Sequence, residues 1–319
     1  MRVLITGADG FAGQHLLHEL LSNASADLEL HGTTFRALDD TTIPYHVLDL
    51  RDAQSVSHLI GALQPDQVYH LAAQSSPAQS LQSPWDTFEN NVHAQLNLFA
   101  TCIEYMLKPR LLIISSGDIY GDTQSDAPAT EDTPLRPMNP YAVSKVTQDM
   151  LALQYYLSHG LPTLRARPFN HLGPGQRTGF VAPDFAYQIA RIESGEQEAR
   201  MKIGSLSAER DFTDVRDVVR AYRLIMQHGT PGEVYNIASG TARPVRFLLE
   251  TMLSYSTIRP VVDTDTAKLR PGRLSKVWGS AARLKQAIGW QPSIPLEQTL
   301  LDVLNDYRQR VRATREETK

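Results

Sequence analysis

The chain has 319 residues, with 31 Lys plus Arg against 35 Asp plus Glu and a formal net charge of −4. An apolar fraction of 42% and a charged fraction of 21% describe an ordinary folded chain that can bury a large core, and exclude extended disorder. A slightly acidic chain with no basic block lacks the footprint of a nucleic-acid binder, and a single cysteine, Cys102, excludes an internal disulfide framework or a cysteine-rich metal site. Met1-Arg2 leads straight into a strand-like segment without a secretory signal. No apolar run nears the roughly 20 residues of a membrane span. A soluble protein is expected, and low cysteine use suits the cytoplasm.

Residues 3–6 form an apolar run that ends in glycine, the pattern of a strand buried on both faces. Leu16, Leu17, Leu20 and Leu21 give residues 11–21 a helical period. Strands follow at 28–34 and 45–48, a helix at 51–63 and a strand at 68–73. Residues 85–106 contain no Gly or Pro and read as one long helix. A strand at 111–114, a helix at 141–157 and a strand at 163–167 complete the alternation. This order predicts an α/β fold with a Rossmann-type, doubly wound parallel sheet. Residues 170–179 read as an irregular loop. Helices are expected near 183–193, 215–227 and 296–310, with a strand at 234–237 and a frayed tail at 316–319. The later part is too interrupted to predict a second independent sheet. The expected division is a dinucleotide-binding domain over 1–168 and a smaller α/β substrate-binding region over 169–319, some of whose segments could return to the first.

Gly7, Gly10 and Gly13 follow the first strand and open the first helix. In that context glycines let the backbone turn tightly against a pyrophosphate, which the helix N-terminus stabilises. A cofactor site that prefers NAD places a carboxylate after the second strand to bind the ribose 2′-hydroxyl. Here the segment reads Gly32-Thr33-Thr34-Phe35-Arg36. Arg36 can pair with a 2′-phosphate and Thr34 can hydrogen-bond it, which favours NADPH over NADH, with NADH an acceptable second. Asp49, after the third strand, is placed to contact adenine. His15 and His18 lie three apart on one helix, but no third ligand has suitable spacing, so no metal is expected.

Tyr141 and Lys145 are four apart and project from one helix face, while Ser116 follows the fifth strand. In a parallel sheet the carboxyl ends of the strands face the ligand crevice. A phenol beside an ammonium is drawn toward phenolate and can act as an acid–base near neutral pH. Ser116 can hydrogen-bond the reacting oxygen. The set suits interconversion of a carbonyl and an alcohol, with the hydride carried by nicotinamide.

These motifs, together with His70-Leu71-Ala72-Ala73 and Tyr120-Gly121, resemble the extended short-chain dehydrogenase/reductase family. The resemblance implies a Rossmann-type enzyme acting on a nucleotide sugar, often dimeric through two helices per subunit, so a homodimer is expected. Leu135-Arg136-Pro137-Met138-Asn139-Pro140-Tyr141, the segment from Arg167 to Gln176, Gly179-Phe180-Val181 and Arg210-Asp211-Phe212-Thr213-Asp214 resemble GDP-4-keto-6-deoxy-D-mannose reductases, which form GDP-D-rhamnose. By that resemblance Ser116, Tyr141, Lys145 and Asp118 are the catalytic positions. Dehydratases of this superfamily typically have Thr at the place of Ser116, which points to simple reduction. Phe11, Leu50, Leu71, Ala72, Ala73 and Pro168 fall along the cofactor, and Ser75, Asn170, Val181, Arg210 and Arg270 along the substrate. One departure stands out, since relatives often carry an acid where this chain has Arg273. The competing readings are a GDP-6-deoxy-D-talose-forming reductase, another nucleotide-sugar epimerase or reductase, and a non-catalytic NADP sensor.

Overall fold

At the centre of a seven-stranded sheet, β1 (Arg2–Thr6) pairs in parallel with β2 (Glu29–Thr34) on one side and β4 (Gln67–His70) on the other. The computed structural model describes residues 1–39, 42–122, 127–265 and 276–317. Beyond β2 lies β3 (Tyr45–Val47); beyond β4 come β5 (Arg110–Ile114), β6 (Thr163–Pro168) and β10 (Val234–Ile237), all parallel. The order β10-β6-β5-β4-β1-β2-β3 reverses direction between β1 and β4, so the ligand crevice of a doubly wound sheet opens at the carboxyl ends of those two strands.

Alternation along the strands builds the layers. Val3 and Ile5 face a core shared with α1 (Phe11–Ser22), α8 (Val215–His228) and α10 (Ala282–Ile288), through Leu16, Leu20, Val218, Tyr222 and Leu284. Leu4 faces the opposite core with α2 (Ala53–Leu63), α5 (Ala94–Glu104) and α6 (Pro140–His159), through Val56, Ile60, Phe99 and Ala152. Helix α8 and strand β10 thus bring residues 215–237 back to the first sheet.

The helix read over 85–106 is not uniform. It begins as α4 (Pro84–Phe88), passes through a π-helical turn at Glu89–His93 and continues as α5. A short helix, α3 (Pro77–Gln82), precedes it and has too few turns to show a period in the sequence. The expectation of no second sheet is corrected. Short strands β7 (Asn170–Leu172), β9 (Glu209–Asp214), β11 (Ala242–Pro244) and β13 (Lys276–Val277) form a four-stranded sheet, and β8 (Arg200–Ile203) pairs with β12 (Val261–Thr264). Strands of two to six residues are too brief for a period of two to register against their turns. Residues 170–172, read as loop, are β7 for the same reason. Helices α7 (Val181–Glu193), α9 (Val245–Ser254) and α11 (Leu296–Glu317) pack around these strands in a separate apolar cluster. Helix α11 reaches Glu317, so residues 316 and 317 are helical rather than frayed. No described helix is long and apolar enough to cross a membrane.

Candidate active site

The glycine turn closes with no room for side chains. Gly7 adopts φ 68°, where glycine is favoured, and a Cβ there would lie 2.9 Å from the Ala72 Cα. A Cβ on Gly13 would lie 2.3 Å from the Gly7 carbonyl oxygen. The Gly7 N–H donates to Thr33 Oγ1 at 3.2 Å, and the Ala72 N–H donates to Thr6 Oγ1 at 3.2 Å, binding β1, β2 and the segment after β4 into one floor. Gly10 caps α1 without a side chain, so the first N–H groups of the helix face the crevice mouth unblocked. This cradle fits a dinucleotide pyrophosphate.

At the end of β2, Thr34 Oγ1 receives the Arg36 N–H at 3.3 Å and donates to the Arg36 carbonyl at 3.1 Å, and the Arg36 side chain is exposed. Asp49 is engaged by Arg51, whose Nη2 lies 2.6 Å from Asp49 Oδ2, and this guanidinium holds the carboxyl below its ordinary range. Asp52 caps α2. Leu50 is buried, with its carbonyl accepting from Asn97 Nδ2 at 2.9 Å. His15, noted for its spacing with His18, lies with Nε2 2.8 Å from the Pro174 carbonyl.

The chemical groups meet across β5 and α6. Asn139 caps α6, accepting from the Ala142 N–H at 2.8 Å, and Pro140 takes the first helical position. That start places Tyr141 in the first turn, with Lys145 one turn on. Ser116 caps the 3-10 turn Gly117–Tyr120 and accepts from the Asp118 N–H at 3.2 Å. The Ser116 hydroxyl neighbours the Tyr141 phenol and favours its ionised form. Lys145 Nζ lies 6.0 Å from the Tyr141 ring centroid and donates to the Ile114 carbonyl at 2.9 Å. The Phe169 ring packs against Gly117, where a Cβ would come within 2.8 Å of it, and Pro168 precedes it at the end of β6.

One expectation is corrected here. Lys145 does not draw the Tyr141 phenol down in the protein by itself. Burial pushes the phenol up, the Asp118 charge adds to this, and the Ser116 hydroxyl only partly opposes it. Burial pulls Lys145 down to about 7, so near neutral pH its charge is only partial. His70, fully buried beside it, is pulled down to about 3, first by burial and then by Lys145, and is neutral at physiological pH.

The Lys145 shift has a consequence for stability. The folded chain binds fewer protons than the unfolded one between about 7 and the ordinary lysine value near ~10.4. Stability from this group therefore rises with pH across that window. In cofactor-free protein, Lys145→Met is expected to melt above wild type at about pH 7, with the difference shrinking toward about pH 9.5. A melting difference that stays constant over that range would show that Lys145 is not desolvated.

The later residues are gathered by the small sheet. Asn170 opens β7 and registers with Phe212 of β9, two positions from Arg210. Arg210 is buried, registered against Val277 on one side and Arg243 on the other. Val181 opens α7, and Ser75 is exposed on the loop after β4. Arg270 and Arg273 lie outside the described residues. Sequence reasoning missed Asn91. Its Oδ1 accepts from the Gln74 N–H at 2.7 Å, and its Nδ2 donates to Ser144 Oγ at 2.9 Å. Ser144 in turn donates to the Tyr141 carbonyl at 2.7 Å, so the π-helical turn ties the loop beside Ser75 to the first turn of α6. Its only sequence signal is an Asn pair inside an otherwise helical segment.

Residues 4–303 match the protein family described as GDP-mannose 4,6 dehydratase. The chain is 38% identical over 312 residues to the GDP-6-deoxy-D-mannose reductase of Pseudomonas aeruginosa, covering 98% of each. Among solved structures it resembles RMD from Pseudomonas aeruginosa complexed with NADPH, with a TM-score of 0.86, 36% identity and coverage of 97% of this chain and 99% of that one. The Thermus thermophilus UDP-glucose 4-epimerase in complex with NAD is similar at a TM-score of 0.86 and 29% identity, with the same coverage of both chains.

Proposed function

This chain belongs to the GDP-mannose 4,6-dehydratase family, and from that premise we propose that it reduces the C4 ketone of GDP-4-keto-6-deoxy-D-mannose to GDP-D-rhamnose, using NADPH. The observation that carries the reading is the gathering of Ser116 beside the Tyr141 phenol, with Lys145 Nζ 6.0 Å from the Tyr141 ring centroid, at the carboxyl edge of the sheet beside a glycine turn that excludes side chains. Gly7, Gly10 and Gly13 would hold the pyrophosphate, Thr34 and Arg36 the 2′-phosphate, and Lys145 the nicotinamide ribose. When bound, NADPH supplies the hydride.

The protein's own groups supply the rest. Ser116 hydrogen-bonds the ketone oxygen, and Tyr141 delivers a proton to it as negative charge develops. The raised phenol pKa keeps that proton in place before reaction. Lys145, recharged beside an anionic cofactor, stabilises the phenolate that remains. Ser at 116, where dehydratases of this superfamily typically have Thr, supports reduction without elimination. Asn170, Val181, Ser75, Arg210 and Arg270 are the proposed substrate contacts, the arginines toward the diphosphate.

A coupled assay with the keto sugar generated in place tests this. The expected product has an axial C4 proton with large couplings by NMR; an equatorial proton would identify the talose product, and no turnover would sink the reading. Run with both cofactors, Arg36→Ala is expected to raise KM for NADPH by about 10-fold or more, the scale of one charge-assisted contact, with little change for NADH. Equal loss for both would remove Arg36 as the phosphate partner.

We also propose a homodimer. Val143, Met150 and Leu157 repeat every seven residues along α6 and are 39%, 38% and 72% exposed, and Trp85 on α4 is 81% exposed. Such an apolar stripe favours a second helix pair. Light scattering is expected to give twice the chain mass, and Leu157→Glu to shift it toward monomer; a monomeric wild type would refute this.

A further inference from the structure

Arg167 immediately precedes Pro168 on β6, and only 3% of it is exposed. Its guanidinium joins three elements, each carrying part of the candidate site. Nε donates to Asp149 Oδ2 at 2.8 Å and Nη2 to Asp149 Oδ1 at 3.0 Å. Asp149 is fully buried on α6, one turn beyond Lys145 and on the same helix face as Tyr141. Nη1 donates to the Tyr120 hydroxyl at 2.8 Å and to the Glu131 carbonyl at 3.1 Å. Tyr120 ends the 3-10 turn that Ser116 caps, and its hydroxyl donates onward to Asn236 Oδ1 at 2.7 Å. Arg165, two residues back on the same strand face, donates to Asp149 Oδ1 at 3.0 Å.

Apolar side chains of similar volume would hold these elements together as tightly as a buried ion pair does. What a guanidinium adds is direction, because its planar fork sets rotation as well as distance. Here one fork spans the helix of Tyr141 and Lys145, the turn of Ser116 and the strand leading to Pro168 and Phe169. We infer that Arg167, acting through Asp149 and Tyr120, is a positioning residue that sets the spacing between Tyr141, Ser116 and the Pro168–Phe169 segment, whose Pro168 is proposed to lie along the cofactor. The inference rests on the reductase reading of this site.

Two variants test it. Arg167→Lys keeps the charge and loses the fork. Tyr120→Phe removes one hydroxyl and leaves the ring stacked on Phe169, 6.0 Å between centroids, so it remains foldable if the first variant is not. A displacement of about 1 Å at reacting atoms costs up to ~10²-fold. The expected result is a kcat loss of about 10- to 100-fold for Arg167→Lys and about 5-fold for Tyr120→Phe. KM for NADPH should stay within about twofold, and the isotope effect from C4-deuterated NADPH should rise. Without any sugar present, the emission lifetime of bound NADPH should shift in both variants at unchanged Kd. Were the wild type inactive on this sugar, the reductase reading would fall while the lifetime comparison still decided the positioning. Unchanged kcat and lifetime in Tyr120→Phe, or a kcat loss matched by KM and melting temperature, would reduce Arg167 to a packing ion pair.

Discussion

Replacing Tyr141 by Phe is expected to lower kcat by at least ~10²-fold, the scale of a lost general acid, while NADPH affinity stays within about threefold. The phenol is the group beside Ser116, where the ketone oxygen is proposed to sit. Lys145 cannot easily substitute, because its ammonium nitrogen is 6.0 Å from the ring centroid and bonded to the Ile114 carbonyl. Removing one hydroxyl costs only about 1 kcal/mol of stability, so the variant should fold, and its rate then reports chemistry. In cofactor-free protein this phenol should stay protonated below about pH 9, since burial and Asp118 hold its pKa above the ordinary tyrosine value. Steady-state kinetics with a fluorescence titration of NADPH separates the two quantities. A kcat close to wild type would remove Tyr141 as the proton donor.

Gly13→Ala is the second large effect expected, and it acts on the cofactor. The added methyl would lie 2.3 Å from the Gly7 carbonyl oxygen and 2.7 Å from that of Ala8. Both are backbone atoms of the turn, and neither can swing aside as a side-chain tip can. The turn must open, and overpacking of this kind costs about 1–3 kcal/mol. Expressed in binding, that is about 10- to 100-fold in Kd for NADPH. Gly10→Ala provides the graded comparison, because its methyl would meet the Gly7 oxygen at 3.1 Å, a contact relieved by a few tenths of an ångström. Fluorescence titration should rank the affinities as wild type, Gly10→Ala, Gly13→Ala. Equal affinities would show that the turn does not carry the pyrophosphate.

Local patterns make much of this molecule legible in its sequence. The apolar run of β1, the glycines behind it and the leucines of α1 are adjacent along the chain, and the chemistry of a strand–turn–helix unit is set by neighbours within a few residues. The same holds for Tyr141 and Lys145, which helical geometry places on one face once Asn139 and Pro140 start the helix. Other features depend on partners distant in the chain. The π-helical turn leaves no break in hydrophobic period, and Asn91 matters only because Gln74 and Ser144 lie across from it. The small sheet forms from strands of two to six residues, whose pairing joins Asn170 to the strand of Arg210 although neither strand announces itself.

What the sequence by itself determined is therefore the parallel α/β order, the glycine turn and the placing of Tyr141 and Lys145 on one helix face, because short-range periodicity and spacing specify them. The tertiary structure alone decided their electrostatics and their alignment. Desolvation depends on everything packed around a group, and here it pulled the Lys145 pKa down to about 7 and reversed the expected pull on Tyr141. The alignment rests on Arg167, whose partners Asp149, Tyr120 and Glu131 are brought to one guanidinium only when three separate elements have packed.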